Sequence, residues 1–586
     1  MFDKVLVANR GEIAIRIFRT LRELGLGSVA VYSEADRSAL HLSYADEAYL
    51  IGPPPAAESY LKIETIVDTA LRAGAGAVHP GYGFLAENAA FARAVEAAGL
   101  TWIGPPPDAI ELMGSKTRAR QAMQAAGVPI IPGTTDPVGS VDELLALGDE
   151  LGYPLLIKAA AGGGGKGMEE VHAPDDAERA FATAQRQGQS YFASSDVYVE
   201  KLIVDPRHVE VQVLADAHGN VIHLGERDCT IQRRHQKLVE ETPSPAVDAD
   251  LRARIGQIGV DAARAAGYRS AGTIEGLLTQ DGQYFFMEMN TRIQVEHTVT
   301  EEVTGLDLVR EQIRIALGEP LSLTQEQVTL RGHAIECRIN AEDAARGFLP
   351  SPGVITEYRE PSGPGVRVDS GVAAGSEISG VYDPMIAKLI VHGVDREHAR
   401  RRMLRALDEF VIRGPKTLLG FHKALLEHEC FVRGETCHGL VESEELAVRA
   451  AELDGAGPGN SLLLGVGRTV VRARTVEVDG RRFDVRVLEP EQPWRELARR
   501  RKERVRAGGA GGNDAIVSPM QGTVLSVAVA DGDTVETGQV LCIIEAMKME
   551  NEVRAPHAGV VAQLSVASGE PVGAGQVICV LTGSLA

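Results

Sequence analysis

Residues 515–582 contain one short unit twice, displaced by 37 positions. Pro519/Pro556, Gly522/Gly559, Val524/Val561, Val529/Val566, Ala530/Ala567, Gly532/Gly569, Val535/Val572, Gly538/Gly575, Gln539/Gln576, Val540/Val577 and Cys542/Cys579 coincide. Each copy alternates short apolar runs with turn signals such as Asp531-Gly532-Asp533 and Ser568-Gly569-Glu570, the pattern of brief strands joined by tight turns. A unit this short cannot bury its apolar face alone, so the two copies are expected to close face to face into one all-β body. Ile544-Glu545-Ala546-Met547-Lys548-Met549-Glu550 lies where one copy gives way to the next, which puts Lys548 on a turn facing solvent. An exposed lysine is ordinarily only a surface charge. One held between two methionines at the hinge of a duplication is different, because exposed apolar side chains at a turn tip need a reason, and recognition by a modifying enzyme is one.

The 586 residues have room for several domains with real cores. A net charge of -21 argues against a nucleic-acid partner, which needs basic surface. Cys229, Cys337, Cys430, Cys437, Cys542 and Cys579 form no Cys-x-x-Cys pair and no zinc-like spacing, so they are expected to be inert thiols in a reducing cytoplasm. No apolar run approaches a membrane span or a signal segment, so the expectation is a soluble cytoplasmic protein.

From the N-terminus, a strand from Lys4, a helix with apolar spacing at Ile13, Ile17 and Leu21, and a strand from Ser28 make a βαβ unit. The first turn lacks Gly-x-Gly-x-x-Gly, so dinucleotide binding is unsupported. The turn-rich stretch 79–88 fits a structural role as well as a functional one. Lys116 opens a helix, and a strand ending at Lys158 runs into Gly162-Gly163-Gly164-Gly165-Lys166-Gly167. This loop is either a flexible linker or a lid whose amides approach phosphate; the bracketing lysines favour the lid, although Gly167 breaks the P-loop pattern. His208-Val209-Glu210-Val211-Gln212-Val213 alternates polar and apolar residues, the mark of a strand with one polar face. In the charged stretch 226–237, a solvated loop or an anion holder, Arg233, Arg234 and Lys237 are the cations suited to anions.

The most informative stretch is 284–297. Glu288, Asn290, Arg292, Gln294 and Glu296 recur at every second position, so an extended backbone puts all five on one face. They follow the apolar run Tyr284-Phe285-Phe286-Met287, and charged groups leaving a buried strand are costly unless they bind something. Glu288 and Asn290, with Glu275 on the preceding strand, offer oxygen ligands suited to Mg²⁺ carrying ATP phosphates. Arg292 can grip a planar oxyanion and Glu296 can act as a general base.

Two resemblances gather these stretches. Residues 515–582, with Ala546-Met547-Lys548-Met549, resemble the biotinyl domain of biotin-dependent carboxylases; lipoyl domains share the fold but lack the methionine pair. Residues 1–445, through 79–88, 162–168, 226–237, 288–297 and Gly332-His333-Ala334-Ile335-Glu336-Cys337-Arg338-Ile339-Asn340, resemble the biotin carboxylase component of acyl-CoA carboxylases. The resemblance implies a multidomain α/β and α+β protein. Its parts would be a Rossmann-like N-terminal domain (1–113), an ATP-grasp domain (114–330), a C-terminal domain (331–445), a linker with a hairpin and a basic segment (446–512), and an all-β flattened barrel (513–586). It implies biotin covalently bound on Lys548, with ATP and Mg²⁺ (or Mn²⁺). ATP would be surrounded by Lys116, Lys158, Gly164, Gly165, Glu200, Lys201, Ile203, His208, Gln232 and His235. Glu275, Glu288 and Asn290 would hold the metal, and Lys237, Arg292, Gln294 and Val295 the bicarbonate. Glu296 would take its proton, and Arg338 would stabilise the biotin enolate.

The function implied is carboxylation of the chain's own biotin through carboxyphosphate, as the alpha subunit of an acyl-CoA carboxylase of the acetyl- or propionyl-CoA type in fatty acid biosynthesis. Because the sequence stops at the biotinyl unit, a separate carboxyltransferase beta subunit is expected to bind the acyl-CoA. A biotin protein ligase and a homo-oligomer within a larger complex are also implied. A pyruvate, methylcrotonyl-CoA or urea carboxylase component is the alternative. The sequence departs from the family at Gly276, where an aromatic residue is usual, at Glu169-Glu170, and at Thr298, where proline is common. Between the two resemblances, Asp454 to Ser461 reads as a linker, Val476 to Val485 as a hairpin around Asp479-Gly480, and 507–512 as a flexible tether. Residues 494–506, with seven basic and two acidic side chains, read as a solvated helix face or a docking surface.

Overall fold

The structure, a computed structural model, describes residues 2–159, 167–192, 194–456, 469–478, 481–490, 515–546 and 549–582. The chain divides into two compact units, Met1–Gly455 and Ala456–Ala586.

The first unit begins with a parallel sheet of five strands, β1 (Lys4–Val7), β2 (Gly27–Ser33), β3 (Glu47–Gly52), β4 (Ala77–His79) and β5 (Thr101–Trp102), in the order β3-β2-β1-β4-β5. This is the Rossmann-like layer expected from the βαβ signal. Helix α1 (Gly11–Glu23) buries Ile13, Ile17 and Leu21 as the spacing requires, and it also buries Glu12, Arg16 and Thr20. A helix buried on two faces lies between layers: Arg16 pairs with Glu301 and Asp307, and Glu12 lies 3.3 Å from Lys388 Nζ.

Three antiparallel strands, β6 (Leu155–Ala159), β7 (Met168–Val171) and β8 (Val197–Lys201), follow in the order β7-β6-β8. The glycine-rich stretch joins β6 to β7. Its residues 160–166, with the expected ATP ligands Gly164 and Gly165, lie outside the described residues. Next come β9 (Arg207–Ala215), β10 (Val221–Arg233), β11 (Gln236–Thr242), β12 (Ser270–Leu278), β13 (Tyr284–Asn290) and β14 (His333–Asn340). With Met385–Gly393 and Val366–Ser370 they form one eight-stranded sheet, β13-β12-β9-β10-β11-β14 followed by those two. It runs without a break from residues 207–290 into 333–393 through the β11–β14 pairing.

Two expectations fail here. The extended run drawn through Glu296 stops at Asn290, which pairs with Thr273 as the last rung on β12. Beyond it β13 leaves the sheet although β12 runs on to Ser270, and the chain turns into helix His297–Thr304 with Glu296 at its N-cap. The cysteines are not all unpaired thiols either: Cys430 and Cys437 form a disulfide with Cα atoms 5.6 Å apart. The short helix Glu429–Arg433 ends at left-handed Gly434, and the chain doubles back, bringing the two within bonding reach. Helix Glu444–Ala456 takes in the first residues of the stretch read as a linker, and Asp454 accepts a hydrogen bond from Gly420 N at 2.9 Å.

In the second unit the expected hairpin is present and longer than its signal, Thr469–Val478 against Arg481–Pro490 with Val478 opposite Arg481. Segments 494–506 and 507–512 lie outside the described residues. The duplicated unit makes two four-stranded sheets. One contains Ala515–Val517, Val577–Thr582, Gly559–Ala562 and Thr534–Val535; the other contains Met549–Arg554, Val540–Ala546, Gly522–Val527 and Pro571–Val572. The copies interleave rather than close one against the other, because each sheet takes strands from both. Equivalent side chains Val524/Val561, Val535/Val572, Leu541/Ile578 and Cys542/Cys579 are all buried. Ala546 and Met549 are the final pair of their hairpin, so Met547 and Lys548, which lie outside the described residues, are its two-residue connection.

Candidate active site

One face of the eight-stranded sheet carries the charge. Glu288, Glu275, Glu210 and Arg227 are successive cross-strand partners on β13, β12, β9 and β10. Three carboxylates in a row repel one another, and cations from other segments offset this. Lys237 on β11 donates to Glu210 Oε2 at 2.5 Å, Glu275 Oε1 at 2.8 Å and Glu296 Oε1 at 2.6 Å, which uses all three ammonium hydrogens. Arg227, fully buried, donates to Glu210 at 2.5 Å, Gln212 at 2.7 Å, Thr300 at 2.9 Å, Thr273 at 3.0 Å and Gln294 at 2.8 Å. All five of its N–H groups are satisfied, the condition for keeping a buried guanidinium.

Glu296 sits where these groups converge. Its second oxygen accepts from Arg338 Nη2 at 2.8 Å, and Arg338 Nε donates to Glu240 at 2.6 Å. Burial opposes ionisation, but Lys237, Arg338 and Arg227 outweigh it and hold the Glu296 carboxyl well below the usual carboxylate range. Glu275 behaves likewise: burial is overcome by Lys237 and His208, whose Nε2 lies 3.0 Å from Glu275 Oε2. Burial alone would lower the Lys237 ammonium, yet Glu210, Glu275 and Glu296 push it well above its ordinary value.

The remaining expected residues are gathered around this core. Gln294 Nε2 donates to Glu275 Oε1 at 2.5 Å and Asn290 Nδ2 to the same oxygen at 2.7 Å. Arg292 donates from Nε to Glu87 at 2.9 Å, from Nη2 to Asn290 at 2.8 Å and from Nη1 to the Ile293 carbonyl at 3.2 Å. Lys116 Nζ lies 3.6 Å from Glu288 Oε2, and Lys158 Nζ donates to Glu200 at 2.5 Å. Lys201 holds its place on β8, but its ammonium is bound to the carbonyls of Gly152 and Tyr153 at 3.0 and 2.9 Å. Ile203 follows β8 half-buried, and Gln232 donates to Cys229 O at 2.8 Å. His235 stands at the β10–β11 turn, its pKa lowered by burial and by Lys158, His208 and Lys116. Of the three cations read in 226–237, Lys237 enters the site; Arg233 packs on Phe348 with its guanidinium 4.5 Å from the ring, and Arg234 is exposed.

For a divalent ion, Glu275 and Glu288 face each other across neighbouring strands and Asn290, which donates from Nδ2 to Glu275, lies beside them, so their side-chain oxygens offer a hard donor set that fits Mg²⁺. His208, Glu210 and Glu275 also bring ligand atoms within 4.8 Å of one another. Glu210, however, is already engaged by Arg227 and Lys237.

Sequence reasoning missed several members. Glu210 and Gln212 stand on the alternating face of β9 and were legible as a polar face. Arg227, Glu240 and Arg120, which pairs with Glu200 and donates to the Ile131 carbonyl at 2.8 Å, gave no local signal. Glu87 resolves stretch 79–88: it accepts from Arg292 and, at 3.0 Å, from Thr291 N, tying that stretch to the site. The departures are accommodated locally. A Cβ on Gly276 would lie 2.3 Å from Tyr284 Cζ, so the ring of Tyr284 occupies the space over that glycine. Glu169 accepts from Gln187 at 2.9 Å, Glu170 pairs with His172 at 3.0 Å, and the Thr298 hydroxyl donates to buried Glu336.

The fold and this face define an ATP-grasp carboxylase with a biotinyl-type unit on the same chain. Residues 1–110 match the family described as biotin carboxylase, N-terminal domain; 115–324 the carbamoyl-phosphate synthase L chain, ATP binding domain; 336–443 the biotin carboxylase C-terminal domain; and 514–581 the biotin-requiring enzyme family. The biotin-dependent acyl-coenzyme A carboxylase alpha3 subunit of Mycobacterium leprae is 46% identical over 567 residues, 94% of each chain. A pyruvate carboxylase subunit of Methanothermobacter thermautotrophicus is 55% identical over 435 residues, 74% of this chain and 88% of that one. The biotin carboxylase domain of Hydrogenobacter thermophilus 2-oxoglutarate carboxylase, solved with MgADP and bicarbonate, superimposes with a TM-score of 0.73 at 48% identity, covering 76% of this chain and 99% of that one. The chain belongs to the biotin carboxylases, fused here to a biotin carrier domain. Its activity is biotin-dependent carboxylation with ATP and bicarbonate, and its cofactors are biotin, ATP and Mg²⁺. A carboxyltransferase partner is implied by the carrier domain. Among the described residues no helix is long and apolar enough to cross a membrane.

Proposed function

We propose that the chain is the alpha subunit of an acyl-CoA carboxylase, carboxylating biotin on its own Lys548 for a cytoplasmic carboxyltransferase beta subunit that binds the acyl-CoA. One observation carries this reading: the acyl-CoA carboxylase alpha3 relative matches along 94% of both chains, carrier included. The pyruvate carboxylase reading is second, favoured by the higher identity of the Methanothermobacter relative over the carboxylase part. A biotin protein ligase would load Lys548, and oligomers within an alpha–beta complex are expected.

In this reading Lys116, Lys158, Gly164, Gly165, Glu200, Lys201, Ile203, His208, Gln232 and His235 surround ATP. Glu275, Glu288 and Asn290 would hold Mg²⁺, which when bound neutralises phosphate charge. Bicarbonate sits against Arg292, Lys237, Gln294 and the Val295 backbone. Both cations already have protein partners, so the anion enters by competing with carboxylates for them. Glu296 is ionised throughout the neutral range, as a base must be. Lys237 and Arg338, which depress its proton affinity, are the groups assigned to bicarbonate and to biotin, so their turning to those anions restores its basicity. Glu296 takes the bicarbonate proton, a bicarbonate oxygen bonds to the γ-phosphorus, and the bond to the ADP oxygen breaks. The resulting carboxyphosphate is short-lived in water, which the glycine-rich stretch, read from its sequence as a lid, would exclude. Transfer of the carboxyl group to the ureido nitrogen of biotin would release inorganic phosphate, which would take the proton of that nitrogen, and Arg338 would stabilise the negative charge developing on the ureido oxygen.

Glu296→Gln is expected to lower bicarbonate-stimulated ADP formation by about 10²- to 10⁴-fold with the ATP dissociation constant within about twofold of the parent. Parental turnover would refute the base. Streptavidin capture from the native cells, followed by assay of the co-purifying carboxyltransferase, separates the two readings: acetyl- or propionyl-CoA carboxylation supports the first, and pyruvate carboxylation the second.

A further inference from the structure

Lys388 lies on strand Met385–Gly393 with its side chain wholly buried, and nothing in the reaction described above uses it. Its cross-strand partner is Arg338. Directly opposed residues of an antiparallel pair project from the same face of the sheet, so the two cations stand side by side. Both reach the turn that leads from β13 into helix His297–Thr304. Arg338 Nη2 donates to the Glu296 carboxylate at 2.8 Å, and Lys388 Nζ donates to the carbonyl of the preceding residue, Val295, at 2.8 Å. Lys388 is balanced by Glu12 of α1, whose Oε1 lies 3.3 Å away and also accepts from the Tyr82 hydroxyl; Nζ stands 5.8 Å from the Tyr82 ring centroid. Asp369, opposite Lys388 on the neighbouring strand, contributes further negative charge, whereas burial raises the Glu336 carboxyl to about 7.

A buried ammonium is costly even when paired, and an apolar side chain of similar volume often stabilises a core more. Here the ammonium spends a donor on a backbone carbonyl at the turn that ends in Glu296. The peptide that supplies this carbonyl also supplies the Glu296 amide, so holding one end fixes the other.

We propose that Lys388 is a positioning residue of the carboxylation site, anchoring the Val295–Glu296 peptide through its carbonyl so that the Glu296 carboxylate and the Val295 backbone meet bicarbonate in register. The inference rests on the carboxylase reading above. Displacement of a reacting group by about 1 Å costs on the order of 10²-fold in rate. The residues assigned to ATP lie on other elements, so the KM for ATP is not expected to respond.

The test uses the full biotinylated chain and varies bicarbonate and ATP separately. Glu12→Gln/Lys388→Met removes the ion pair together, leaving the buried charge balanced, and Lys388→Arg keeps the charge but moves the donor. The double variant is expected to raise the KM for bicarbonate at least tenfold with the KM for ATP within twofold, and Lys388→Arg to raise the bicarbonate KM about fivefold. A role in stability alone would lower the melting temperature and leave both KM values parental. Either variant folded with a parental bicarbonate KM overturns the proposal, as does failure of both to fold, which would assign Lys388 to stability. Absence of bicarbonate-stimulated ADP formation in the parent chain would instead sink the carboxylase reading itself.

Discussion

On the carboxylation face, Glu210, Arg227, Glu240, Glu275 and Glu296 are buried together, and each is held by partners from other segments. In the duplicated carrier domain the reverse holds. Its core is aliphatic, and among the described residues its one buried polar side chain is Ser518, whose hydroxyl donates to Met520 O at 2.6 Å. The two regions do different work with charge. In the proposed reaction, cations and carboxylates trade partners away from water to activate bicarbonate beside ATP, so opposing charges are buried in advance and fully satisfied. A carrier has no such chemistry to perform, and a small apolar barrel suffices for it.

This contrast breaks most easily at Arg227. Arg227→Met leaves Glu210 in the core without its guanidinium partner and is expected to destabilise the first unit by about 3–5 kcal/mol. Ser518→Ala should cost the carrier only about 1 kcal/mol. Urea unfolding followed separately for the two units measures both, and equal costs would erase the distinction. A smaller effect is expected at Gly276. Gly276→Ala drives a methyl into the Tyr284 ring and should cost about 1–3 kcal/mol, with relief when Tyr284→Leu is added. Additive penalties would mean that the ring is not what the glycine accommodates.

The smallest effect concerns pH. Burial lowers His41 to about 4, so it folds neutral and its contribution is present above the ordinary histidine pKa and is lost as pH falls towards 4. Carboxylates raised by burial, such as Glu336 at about 7, act in the opposite sense, so the parent alone does not isolate the term. The difference between His41→Asn and the parent does. Between pH 6.5 and 5.5 the parent should lose about 1 kcal/mol relative to the variant. The carrier domain, with no buried histidine among its described residues, should show no such slope.

The same contrast governs what could be read in advance. The carrier domain announces itself in a contiguous stretch, because its duplication and turn glycines are local. The site on the sheet was legible where period-two alternation marks a strand, as at Glu210, Gln212 and Glu288. It was opaque where members meet only in the fold. Arg227 lies among charged neighbours in a stretch equally suited to a loop, and its burial depends on Gln212, Thr273, Gln294 and Thr300 arriving from four other places. The break after Asn290 was unreadable for a related reason: alternation continues through Glu296, but β13 leaves the sheet while β12 runs on to Ser270, and Thr291 N and Arg292 turn instead to Glu87 from a distant part of the sequence. The interleaving of the carrier copies was hidden likewise, since a repeat shows equivalence and not which strands share a sheet.

The most direct test of the central claim follows label from H¹⁴CO₃⁻ into the biotinylated full-length chain, with ATP and Mg²⁺ present and no acyl-CoA. The account predicts ATP-dependent, acid-labile label of at most one carboxyl per chain, absent from Lys548→Arg and reduced by about 10²-fold or more in Glu296→Gln. Label retained in Lys548→Arg, or none in the biotinylated parent, would contradict it.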